Sequence, residues 1–131
     1  MNAEARAKRF AELRGELGGC YDVILSLLGR LPVPMTPASL RGAATDHEVF
    51  TAIRALSLAW QLAPVEPVGY LLVGHVQSMI TDWLTAYELA VACRLYGPAL
   101  WRLNGIDAAL GRVRAAAPLA EEWLEIELGA R

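Results

Sequence analysis

Cysteine is scarce in this chain. Cys20 and Cys93 are the only two, too few for a disulfide framework, and no C-x-x-C pair offers a zinc or redox site. Two buried thiols in a reducing compartment are the plain expectation. Long apolar runs are missing as well. The longest charge-free apolar stretch, Pro67 to Thr81, contains His75 and Gln77 and falls short of the ~18–20 residues a membrane span needs. Residues 1–14 alternate charge with alanine and lack the apolar stretch of a secretion signal. A cytoplasmic protein without a membrane span is therefore expected.

Charge of one sign is also lacking. The formal net charge is −2, which creates no general attraction to nucleic acid or acidic membranes. Signature motifs are absent too: no phosphate-binding loop, dinucleotide fingerprint, zinc-protease helix, calcium loop or nucleophile elbow occurs. The Glu-x-x-His pairs of di-iron bundles are missing. No cofactor and no metal are expected, and a non-enzymatic role is favoured over catalysis.

What is present is helical period. With 131 residues and 55% hydrophobic content, the chain is long enough for one domain over 1–131 with a core of its own. Phe10, Leu13, Leu17, Cys20, Ile24, Leu27 and Leu31 recur in steps of three and four, the heptad stripe of a helix seam. That places a first helix over about Ala3 to Gly29, with Gly15, Gly18 and Gly19 marking either a break or the close approach of another backbone. Leu31 to Pro37 carries three prolines and reads as a stiff connection, with Thr36 and Pro37 able to open a short helical turn. Thr45 and Glu48 form a capping box that opens a second helix ending near Leu62. A third runs from about Pro67 to Tyr96, apolar nearly all round, and stops at Gly97-Pro98. The last third divides at Asn104-Gly105 and at Pro118 into short helices over Pro98 to Leu103, Ala108 to Ala116 and Leu119 to Leu128. No window alternates with the period of a strand. The fold class is all-α, a compact bundle of about four to six helices around a buried central helix at about 67–96.

Several constellations hold residue types that do chemistry. His75, Ser78 and Asp82 lie on one stripe of the third helix, but three groups in a row on one helix do not make the mutual geometry of a triad. Asp46, His47 and Glu48 point in different directions, and acidic groups in a first turn already favour the positive end of the helix dipole. Arg6, Lys8, Arg9 and Arg14, and then Arg102, Arg112 and Arg114, are mixed with carboxylates and read as solvated faces, leaving nucleic-acid binding open but unfavoured. The last helix is acidic at Glu121, Glu122, Glu125 and Glu127. Trp60, Trp83, Trp101 and Trp123 all fall at apolar helical positions, where core or interface packing is the default.

By elimination, the sequence suggests a protein–protein interaction module: an accessory subunit, regulator or inhibitor, pairing with a protein partner or with itself as a homodimer. The contact surface is expected on Phe10, Leu13, Leu17, Ile24 and Leu27, since a strict heptad is the pattern of a partner seam. The alternative is a small-molecule-binding or catalytic helical domain, with a pocket along the central helix lined by His75, Trp83 and Tyr87.

Overall fold

The computed structural model describes residues 1–31, 51, 54–56 and 70–129, and among these the only regular secondary structure is α-helix. Three long helices carry it: α1 (Ala3–Gly29), α2 (Tyr70–Tyr96) and α3 (Leu100–Gly129). Residues 51 and 54–56 are helical too, and Leu56 is buried in the core. The expected proline connection, the capping box at Thr45 and Glu48, the cluster Asp46, His47 and Glu48, and Trp60 lie outside the described residues.

Each helix end has a local cause. Asn2 caps α1, its Oδ1 accepting from the Ala5 N–H at 2.8 Å, and so satisfies one of the free donors of the first turn. α2 ends at Gly97, which adopts φ +100°, a backbone conformation that costs glycine little and other residues much. Pro98 cannot continue a helix. The Ala99 N–H bonds the Gly97 carbonyl and the Leu103 N–H bonds the Ala99 carbonyl, so α3 begins at once. α2 and α3 therefore form an antiparallel hairpin joined by three residues, and they pack on each other more extensively than either packs on α1. α1 runs parallel to α3: Arg9 meets Asp107 near the start of both helices, and Arg30 meets Glu121 towards their far ends.

Three sequence expectations change here. The last third is one 30-residue helix rather than three short ones. Pro118 does remove the hydrogen bond that residue 118 would donate to the Arg114 carbonyl. Its ring, however, lies on the exposed side, while Val113, Ala120 and Leu124 on the inner side stay buried and hold both halves in one line. Gly105 does not interrupt the helix either. A Cβ there would sit 2.8 Å from Leu89 Cδ1, so this glycine serves the close approach of α2 to α3. In α1, Gly15, Gly18 and Gly19 neither break the helix nor admit another backbone, because a Cβ at any of them would meet nothing within 4 Å.

The core is one cluster contributed by all three helices. Trp83 sits at its centre, fully buried between Tyr21 (ring centroids 4.9 Å apart) and Tyr87 (5.6 Å, stacked). Its indole N–H donates to the Leu17 carbonyl at 2.8 Å, so the one polar atom of the largest core side chain is satisfied. α2 buries Leu72, Val76, Met79, Trp83, Ala86 and Cys93, but it is not apolar all round. Leu71, Gly74, Ser78, Thr81, Thr85 and Glu88 form an exposed line along it.

Candidate functional site

The α1 stripe turns inward. Leu13, Ile24 and Leu27 are fully buried within this chain, and Phe10 and Leu17 are half-buried against the same core. The seam legible in the sequence is the bundle's own, closed by α2 and α3, and only the flanks of Phe10 and Leu17 remain to face outward.

Among the described residues, His75, Trp83 and Tyr87 line no shared cleft. Trp83 and Tyr87 stack on each other in the core, while His75 lies two turns back along α2, half-buried. Neither of the two described clefts is lined by any of the three. The stripe of His75, Ser78 and Asp82 is divided as well: Asp82 accepts from Arg112 Nε on α3 at 2.9 Å, and Ser78 faces solvent.

Three of the six arginines considered for phosphate binding are paired with carboxylates of the chain. Arg9 bridges Glu12 at 3.2 Å and Asp107 at 3.1 Å, Arg114 lies 3.8 Å from Asp107, and Arg112 is held by Asp82. Such exposed pairs contribute roughly 0–1 kcal/mol each, but they lower the charge a phosphate would meet. No group of three or more His, Cys, Asp or Glu residues capable of holding a metal occurs among the described residues. No described helix is long and apolar enough to cross a membrane.

Two features were not legible as sites. The first is a cleft of about 280 Å³ between α1 and α3, lined by Cys20, Val23, Val113, Ala117 and Pro118 with Arg114 and Glu121 at its polar edge. Burial pushes the Cys20 thiol up from its ordinary value, against the opposing pull of Arg114, whose Nη1 lies 4.0 Å from the sulfur. A thiol held protonated in this way is a poor nucleophile.

The second feature is a set of exposed hydrophobic side chains. Leu95 and Tyr96 end α2, and Leu100 and Trp101 begin α3; Tyr96 is 75% exposed and Trp101 64%. The Arg102 guanidinium lies over the Trp101 ring at 4.6 Å and over the Tyr96 ring at 5.6 Å, within reach of cation–π attraction. Arg102 Nη1 also donates to the Gly97 carbonyl at 3.1 Å, while its Nε is buried without a hydrogen-bond partner. Farther along α3, Leu119, Ile126 and Leu128 are exposed too. Of the three described tryptophans, Trp83 is a core residue in full, Trp123 is half-buried and Trp101 stands in solvent. No protein-family model, curated protein or solved structure matches this chain.

Proposed function

We propose that this chain is a non-enzymatic protein–protein interaction module of the cytoplasm, a small accessory subunit, regulator or inhibitor that works by contact with another protein or with a second copy of itself. The architecture behind this reading is a single helical domain over 1–131, a bundle of four to six helices centred on the helix at about 67–96. One observation carries the proposal: Tyr96, Leu100, Trp101, Leu119 and Ile126 stand exposed at the hairpin end and along α3, together with Leu95 and Leu128. Contiguous exposed apolar surface marks an interaction site. Trp, Tyr and Arg, gathered here as Trp101, Tyr96 and Arg102, are the residue types that dominate interface energetics. The burial of Leu13, Ile24 and Leu27 in the core supports a contact face on α3 and the hairpin end rather than on α1.

The test is capture from host lysate on tagged chain, with and without nuclease, beside a Trp101→Asp variant. A stoichiometric protein retained after nuclease by the unaltered chain and lost by the variant supports the module. Retention of nothing by either, together with a monomeric chain, overturns it. The cleft between α1 and α3 favours one second reading, a small apolar ligand bound beside Cys20. Native mass spectrometry showing a retained small molecule would support that reading.

A further inference from the structure

One end of the bundle gathers unpaired positive charge around a cleft. α1 and α3 run parallel, so both helices begin at the end where the link Gly97-Pro98-Ala99 turns α2 into α3. Between the first turns of α1 and that link lies a cleft of about 370 Å³, lined by Ala3, Arg6 and Ala7 on one side and by Tyr96 to Ala99 on the other. Its volume falls near the lower end of the range for small-molecule sites.

The walls are of two kinds. Ala3, Ala7, Pro98, Ala99 and the Tyr96 ring supply carbon, while Arg6 is the single charged side chain of the lining and no carboxylate accompanies it. Arg6 is half-buried, and among the described residues it makes no ion pair. A second guanidinium stands at the same link. Arg102 lies over the Tyr96 ring at 5.6 Å and donates to the Gly97 carbonyl at 3.1 Å, and it too meets no described carboxylate. Arg9, Arg112 and Arg114, by contrast, are all paired. A half-buried guanidinium left unpaired has lost part of its hydration without compensation. An oxyanion restores what was lost, because its oxygens match the planar donor fork in charge and in geometry. The free N–H groups at the starts of two helices add to the same field. A bare inorganic ion would satisfy Arg6 but leave the carbon walls in water.

We infer that the cleft between the first turns of α1 and the α2–α3 link binds a small organic anion, one carboxylate or phosphate group carried on a compact apolar body. Arg6 holds the anionic group directly. Ala3, Ala7, Tyr96 and Pro98 enclose the apolar body, and Arg102 adds its charge from behind the link. This site stands apart from the exposed hydrophobics of α3 and does not depend on the chain's having a protein partner.

The test titrates the full chain at low ionic strength with benzoate, phenyl phosphate, inorganic phosphate and benzyl alcohol, read from backbone amide chemical shifts. Benzoate or phenyl phosphate is expected to give saturable shifts centred on Arg6, Ala7, Gly97 and Ala99. The tighter of the two tells whether a carboxylate or a phosphate is the preferred group. Arg6→Gln is expected to weaken that binding about tenfold or more, the worth of a charge-assisted hydrogen bond. Ala7→Leu, at an exposed position, is expected to abolish it by filling the cleft. Arg14→Gln removes the same charge from an exposed position farther along α1 and is expected to leave binding unchanged. Saturable shifts from neither organic anion overturn the proposal. So does benzyl alcohol binding as tightly as benzoate, since no anion would then be required. Inorganic phosphate binding as tightly as phenyl phosphate overturns it as well, since the carbon walls would be idle. Equal weakening by Arg6→Gln and Arg14→Gln does the same, since only net charge would be at work.

Discussion

α1 and α3 both carry an apolar line with heptad spacing, and the two lines go to opposite places. On α1 the line runs inside at Leu13, Cys20, Ile24 and Leu27, with Phe10 and Leu17 half-buried against the same core. On α3 the inner line is buried as well, while a second one, from Trp101 to Ile126, is left in solvent. Periodicity identifies the face of a helix that wants a neighbour. It does not say whether that neighbour belongs to the same chain. The lines differ in content: α1 is lined with large aliphatic side chains, whereas the outer line of α3 alternates large residues with alanine and an arginine, a composition that tolerates water until something covers it.

Substitutions separate the two lines most sharply at the centre of the core. Trp83→Ala should cost about 3–5 kcal/mol, enough to bring a domain of this size close to unfolding, read as the midpoint of urea denaturation. Leu27→Ala on the inward line should cost about 2–5 kcal/mol. Leu119→Ala on the outward line should stay within about 0.5 kcal/mol when measured on monomer at low concentration; a large loss there would mean that the outer line belongs to the fold.

The α1 side of the core also has a pH signature. Burial pushes the Tyr21 phenol up from 10 to about 12. The native state therefore keeps a proton that the unfolded chain releases, so stability should hold below pH 10 and fall between pH 10 and 12. Tyr21→Phe should flatten that fall. Smaller still, Gly15→Ala and Gly19→Ala should each stabilise α1 by about 0.5–1 kcal/mol, because these are exposed helical positions where a Cβ meets nothing. Gly105→Ala should gain less or nothing, since its Cβ would displace Leu89. Equal gains at all three would show that the approach of α2 to α3 is looser than described.

The parts of the fold legible in the sequence are those with local causes. The limits of α1 follow from its stripe and its terminal residues, and the stop at Gly97-Pro98 follows from a glycine able to take positive φ beside a residue that cannot continue a helix. The unity of α3 was not legible, because Pro118 and Asn104-Gly105 are local break signals overridden by tertiary packing on the inner face. The placement of the α1 seam was illegible for a different reason: burial depends on which helices arrive, and no spacing within one helix encodes that. The outer line of α3 is diluted by alanine and arginine, and its nearness to Tyr96 and Arg102 needs the hairpin to be closed.

The three-residue link Gly97-Pro98-Ala99 has a kinetic consequence. It joins the two helices with the most extensive mutual packing, while α1 is separated from α2 in the chain by residues 30–69. Contacts close in sequence form before distant ones because they lose less loop entropy. The α2–α3 hairpin should therefore be the nucleus of folding, with α1 docking afterwards. Destabilising changes at Ala86 or Ala109 should slow refolding, whereas those at Leu13 or Leu28 should chiefly hasten unfolding.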